Sequence, residues 1–441
     1  MENWSVKQFL LRHAGRYSLK VLGLMAQLGS LALVVEILGT DEFAIYAATL
    51  SVAAIVAQIM DAGFSRYSFR MIQRGRSYAS VVRWTLISKL VGLCFILPFG
   101  ISAVVFFNLP TGLFLLALVG NIFLQLNSFN RYVLLVRKQV ARCIFLEVSA
   151  PILYFLFILP ILVLLIFGLV SRSQSLLFLV VWLYFFSFFF SFCFWTYSIG
   201  ALHAWQRGLR LGRVNRSSLL AKGLVAVWRR SFWVGIEQIF SSFWYNLPVL
   251  LAQMLGGAAA VAAVALFQRV LNLVGALLSV TISSNLLEYY ESGGDKVFKS
   301  KLAFVIGALT FASTLICVFS YSGLAIYFHQ LSPSATLFVT LDLLAEWPMR
   351  LALATALFSA FLQLSFVALG GDLRLERCVA VGVGILMLVA CVFVESSFDL
   401  SLIAVILNSL IVSQIVACAI LLGAFHLVAQ KATAPFTSSD R

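Results

Sequence analysis

The strongest constraint on this chain is a succession of apolar runs, each about as long as a bilayer is thick. Two of them, "PILYFLFILPILVLLIFGLV" (151–170) and "LLFLVVWLYFFSFFFSFCFW" (176–195), carry no charge at all. About 20 residues of helix rise roughly 30 Å, enough to cross the hydrocarbon core. Inside lipid every backbone N–H and C=O must find a partner within the segment, which leaves helices as the form for such runs. Twelve runs are predicted, at 19–38, 44–63, 85–107, 112–136, 146–170, 176–202, 231–254, 259–284, 303–326, 337–370, 378–394 and 400–425. The tenth would rise about 50 Å if straight, so its "DLLAEWP" stretch is placed at the interface, with a kink at Pro348. With 62% hydrophobic and only 11% charged residues, against about half and a quarter in soluble domains, no soluble domain fits between the runs. The expected fold class is an all-α polytopic membrane protein.

The net charge of +14 would point a soluble protein toward nucleic acid. Here its distribution gives another reading. With the N-terminus inside, all but three (Arg172, Arg269 and Arg350) of the 31 lysines and arginines fall in or beside the cytoplasmic connections. That asymmetry puts both termini in the cytoplasm and accounts for the charge with no nucleic acid. The first apolar run ends in Glu36 rather than a small-residue cleavage site, so the first span is expected to be retained. The acids of "GTDEF" (39–43) then lie in an outer turn and read as solvated turn residues rather than a catalytic pair.

A faint internal repeat aligns "VVEILGTDEFAIYAATL" with "LLAQMLGGAAAVAAVAL", at Leu38-Gly39 and Leu255-Gly256. Each opens a six-helix half: 1–206 and 231–441, joined by the basic linker 207–230. An even number of spans per half makes the two halves parallel, an architecture of transporters with a central cavity.

Helices lining water need a polar stripe, while lipid-facing ones do not. Spans five and six read as lipid-facing. The first two spans of each half differ. Stripes of mostly polar or small residues recur at helical spacing at Lys20, Gly23, Gln27 and Ser30; at Ala47, Ser51, Ala54, Gln58, Asp61 and Ser65; at Gly235, Gln238, Ser242, Asn246, Val249 and Gln253; and at Arg269, Asn272, Ala276, Ser279 and Ser283, with Gln268 and Glu237 alongside. Small and polar residues also glue helices together, but their concentration here favours a shared wet cavity. Arg269 sits near the middle of span eight, where an unpaired cation costs about 3 kcal/mol or more. It is either half of an ion pair, with Glu237 as one candidate, or a bidentate site for phosphate. Lys20 is a further candidate ligand, although it, Arg16, Arg66, Lys89 and Arg131 also fit snorkelling residues of the inner face. Glu237 and Asp61 are candidates for ion coupling or pairing. Asp342, Glu346 and Arg350 share a helix face and suggest a local salt bridge.

The seven cysteines lie in or beside apolar runs without paired spacing and read as small core residues; four scattered histidines make no metal site. No cofactor is expected. No GxxxxGK[ST] occurs, so ATP hydrolysis through a P-loop is excluded. The outer connections are too short to build the catalytic domain of a membrane ligase, and the chain is not expected to be an enzyme.

The stretch "ILGTDEFAIYAATLSVAAIVAQIMDAGFSR" resembles the first hairpin of polysaccharide (O-antigen, Wzx-type) flippases of the multidrug/oligosaccharidyl-lipid/polysaccharide (MOP) exporter superfamily. The likeness rests on Leu38-Gly39, Asp41-Glu42, Ala44-Ile45-Tyr46 and Asp61-Ala62-Gly63. It departs at Ala44, where a glycine is usual, and at Ala262-Ala263. The resemblance implies a flippase carrying polyprenyl-diphosphate-linked oligosaccharide across a bacterial inner membrane by alternating access. It also implies a polysaccharide polymerase and chain-length machinery as partners. An ion-coupled multidrug or small-solute antiporter on the same fold is the alternative.

Overall fold

Every regular element among the described residues is a helix, as chains that must satisfy their backbone in lipid require. A computed structural model of the chain describes residues 6–61, 63–137, 139–169, 174–209, 217–255, 257–266, 268, 374–395 and 402–433. These fall into two compact units. The first runs from α1 to Gln268; the second holds the two C-terminal helices.

The first unit begins with α1 (Val6–Asp61), whose helical bonding continues past a non-helical Gly39 at φ 75°, ψ 177°. That residue reverses the chain. A Cβ on Gly29 would meet the Phe155 ring, while Tyr46 Oη lies 2.9 Å from Tyr154 Oη. Residues 29 and 46 therefore reach the same level of one neighbour from opposite sides of Gly39. The expected first and second spans are the two limbs of this hairpin. The predicted outer turn shrinks to one residue in the left-handed region, which costs a glycine nothing and other residues about 1–2 kcal/mol. Asp41 is exposed, as expected of a turn acid. Glu42 is not: it is half-buried, and its Oε2 is buried with no hydrogen-bond partner.

Gly63 (φ 76°) ends the second limb, and α2 (Phe64–Gln73) follows, so part of the expected basic inner loop is an amphipathic helix. Then come α3 (Tyr78–Phe106), α4 (Thr111–Val136), α5 (Val140–Ile166) and α6 (Gln174–Ser198), on the third to sixth expected spans. With both limbs of α1 they are the helices among the described residues that are long and apolar enough to cross a membrane. The hairpin packs against α3, α4, α5 and α8, and α4 packs against α6. At one approach, a Cβ on Gly92 of α3 would stand 2.5 Å from the Met60 carbonyl oxygen.

The short α7 (Leu202–Leu209) tucks Trp205 edge-on against Phe129 and Phe192, with ring centroids 5.7 and 5.0 Å away. This closes an apolar core that includes Val81, Val82, Val133, Leu134 and Trp195. Arg137 Nη1 donates to the Ile199 carbonyl at 2.8 Å, capping the end of α6. The second part of the expected linker, from Ser217, is helical and continues into α8 (Ser217–Leu255), which carries the seventh span. A helical segment at 258–266 opens the eighth.

In the second unit, α9 (Arg374–Glu395) and α10 (Leu402–Thr433) pack together around Ala380, Cys418 and Leu421. They match the last two expected spans. The ninth and tenth, with Pro348 and the Asp342, Glu346 and Arg350 group, lie outside the described residues.

Candidate functional site

Both limbs of α1, together with α8 and the segment ending at Gln268, meet at a small cleft. It is lined by Leu31 on the first limb, by Phe43, Tyr46, Ala47 and Ser51 on the second, by Tyr245, Asn246 and Val249 on α8, and by Ala265 and Gln268. Helical spacing explains the convergence: 43, 47 and 51 share one face, as do 245 and 249. The volume is about 30 Å³, room for about two waters. Three of the predicted stripes, on spans two, seven and eight, supply Ala47, Ser51, Asn246, Val249 and Gln268. The first span contributes only Leu31.

The polar atoms here are not all matched. Asn246 Nδ2 donates to the Ser242 carbonyl at 2.8 Å, which leaves its Oδ1 as the end free to accept. Tyr46 is bonded to Tyr154. Gln268, only 4% exposed, has a buried Oε1 with no hydrogen-bond partner. On α8, Gln238 also has a buried, unpartnered Oε1. An unmade hydrogen bond of this kind costs about 1–3 kcal/mol, so the cleft holds polar capacity that the fold does not use.

Two charge clusters, one buried and one partly exposed, lie elsewhere in the unit. In one, Lys89 Nζ contacts Asp61 Oδ1 at 2.5 Å and Gln125 Oε1 at 2.7 Å, and Gln125 Nε2 donates to the Ala57 carbonyl at 2.7 Å. Asp61 also accepts from the Ser65 hydroxyl at 2.7 Å and from its backbone N–H at 3.1 Å. This carboxylate therefore ties the end of α1 to the first turn of α2 across Gly63. In the other cluster, Lys20 Nζ lies 2.7 Å from Glu147 Oε2 and Arg131 Nε lies 2.8 Å from Glu147 Oε1. The Arg131 contact is off the line of its N–H and so is an ion pair rather than a directed hydrogen bond. One acid thus serves two bases.

The predicted residues consequently fall into several groups. Asn246 and Gln268 come together. Lys20 and Asp61 have protein partners, and Lys89 is a buried ion-pair partner rather than a snorkelling residue. Gln27 is exposed, and Gln58 is half-buried outside the cleft. Arg269 and Asn272, and the side chain of Glu237, lie outside the described residues.

Glu147 and Gln125 escaped the sequence reading, although an acid inside an apolar run is itself a signal. So did a seam between α4, α5 and α6. Asn127 Nδ2 donates to Ser191 Oγ at 3.1 Å, Ser191 and Ser149 hydroxyls lie 2.7 Å apart, and Trp195 Nε1 donates to Ser149 Oγ at 3.1 Å. Asn130 Nδ2 reaches Thr196 Oγ1 at 3.0 Å. Spans five and six are therefore not lipid-facing all round; each presents one polar edge to the bundle. Among the described residues no group of three or more His, Cys, Asp or Glu side chains could hold a metal.

No protein-family model matches the chain, and no curated protein sequence matches it significantly. Solved structures do match its fold. An inward-facing multidrug-resistance MATE family transporter of the MOP superfamily superposes with a TM-score of 0.60 at 17% identity, covering 96% of this chain and 99% of the other. The lipid II flippase MurJ, in an inward closed conformation, gives 0.64 at 13% identity over 95% and 87%. A MATE transporter in complex with MaL6 gives 0.56 at 16% identity over 95% and 98%. At such identities the likeness speaks for the fold alone: the chain shares the fold of these solved structures.

Proposed function

We propose that this chain flips a polyprenyl-diphosphate-linked oligosaccharide, an O-antigen or exopolysaccharide repeat unit, from the cytoplasmic to the periplasmic leaflet of a bacterial inner membrane. The fold supports a transporter of either hydrophobic cations or lipid-linked sugars, since the matching structures include multidrug transporters and a lipid II flippase. The observation that carries the choice is the charge balance of the two ion-pair clusters, one buried and one reaching the surface at Arg131. Asp61 is neutralised by Lys89, and Glu147 faces both Lys20 and Arg131, so the two clusters together are net positive. A cationic drug would be repelled by that balance, while a diphosphate is attracted. Arg269, the cation inside span eight, adds to the same sign.

In this reading the two six-helix halves, 1–206 and 231–441, rock about the linker 207–230. The headgroup passes through the polar interior while the polyprenyl tail stays in lipid. Polymerase and chain-length proteins are the expected partners on the far side. The competing reading, an ion-coupled antiporter, draws on Glu42, whose buried Oε2 lacks a hydrogen-bond partner.

Proteoliposomes holding the full chain separate the two. Movement of a fluorescent undecaprenyl-diphosphate sugar, without movement of a cationic dye, supports the flippase. Dye efflux driven by an ion gradient, with no lipid movement, refutes it. In cells, Arg269→Ala is expected to abolish surface polysaccharide at normal protein level, with Arg269→Lys keeping part of it. Normal polymer in Arg269→Ala would remove Arg269 from the substrate path.

A further inference from the structure

We infer that the cleft between α1, α8 and Gln268 is a saccharide subsite that takes a hydroxymethyl group, and that it is not where the diphosphate binds. The inference rests on the flippase reading above and concerns the division of labour within that substrate. Three observations carry it.

The first is polarity. Gln268 offers a buried Oε1 without a partner, and Asn246, with Nδ2 held by Ser242, presents Oδ1. Both are acceptors. A phosphate is also an acceptor and cannot satisfy them, whereas a hydroxyl can donate. The second is charge. No acid or base is among the described residues that line the cleft. A desolvated ammonium would stand there without a counterion and a phosphate without a cation, both costly; a neutral alcohol meets neither penalty. The third is size. Room for about two waters matches the two heavy atoms of –CH2OH. The rings of Phe43, Tyr46 and Tyr245 supply apolar walls for the methylene and for the sugar face behind it.

The test uses proteoliposomes of the full chain and two probes that differ in one oxygen: undecaprenyl-diphosphate glucose and undecaprenyl-diphosphate 6-deoxyglucose. The wild type is expected to flip the first at least tenfold faster, because a site built around a hydroxyl rejects the analogue that leaves its acceptors unpaired. Gln268→Leu is expected to abolish the preference while still moving the 6-deoxy lipid. Equal wild-type rates for the two lipids would overturn the inference and leave the flippase reading intact; this comparison needs no variant to fold. A preference that survives in Gln268→Leu would likewise overturn it. If neither lipid moves and a cationic dye does, the transport reading fails, and this inference with it.

Discussion

Two polar regions of the first unit differ in how completely they are satisfied. In the seam between α4, α5 and α6, the amide of Asn127, the indole of Trp195 and the hydroxyls of Ser149 and Ser191 bond to one another. In the cleft between α1 and α8, acceptors are left over. Both are built from uncharged side chains on apolar helices, and composition does not distinguish them. The seam, satisfied except at Asn130 Oδ1, acts as adhesive between helices, where each hydrogen bond is worth about 0.6–2 kcal/mol. The unsatisfied cleft lowers stability, and a fold retains such a site where a ligand completes it. An unpartnered polar atom in a membrane helix therefore points to a site where it also lines a cleft, as that of Gln268 does.

The comparison breaks most sharply at the charge clusters, which are the satisfied extreme. Asp61→Asn leaves Lys89, 4% exposed, with no counterion, and is expected to cost about 3–5 kcal/mol. Thermal unfolding of the purified protein in detergent reads this directly. Lys89→Met in the same chain should recover most of the loss, since an apolar residue needs no counterion. Failure to recover would mean that Asp61 acts mainly through Ser65 and the turn at Gly63. Glu147→Gln frees two cations, but Arg131 is 39% exposed at its side chain and can reach water. The expected cost is smaller, about 2 kcal/mol, by the same measurement.

How far the sequence reveals this contrast depends on what a helical period can carry. The hairpin of α1 is legible at Leu38-Gly39, because one glycine between two apolar runs has few other uses. The convergence of Asn246 and Gln268 with Ser51 was visible as faces, since spacing fixes which residues share a side. Partners are another matter. Lys20 and Glu147 are 127 positions apart, and no local pattern says that these two faces meet. Lys20 therefore looks the same in sequence whether it binds a substrate or an acid. The seam was hidden for a different reason. Ser187 and Ser191 stand one turn apart on α6, yet the phenylalanines around them make the segment apolar on every side, and the stripe disappears into the average. An acid or hydroxyl in a strongly apolar run is more informative than the mean of that run.

Ser191→Ala sharpens the middle of the scale. It removes the hydroxyl shared by Asn127 and Ser149 and is expected to lower stability by about 1 kcal/mol, with transport unchanged. Vesicle flipping at the wild-type rate alongside a reduced unfolding temperature would establish the seam as adhesive. A loss of transport with unchanged stability would place the substrate path along α6 instead.

The smallest effect on stability is expected where the change falls on substrate selection. Gln268→Leu removes a buried acceptor that has no partner and replaces it with a side chain of similar volume. A residue bonded as Asn127 is would lose interactions on such a change, but Oε1 of Gln268 has none to lose. The expected result is an unfolding temperature unchanged or raised, by up to about 1 kcal/mol of stability, as the unmade hydrogen bond is relieved. A clear loss of stability would show that the amide is held by the fold and not kept for a ligand, and the distinction between cleft and seam would disappear. A gain in stability together with weakened substrate selection is the opposite result, and no purely structural role for Gln268 produces it, because an adhesive residue cannot be removed at a profit to the fold.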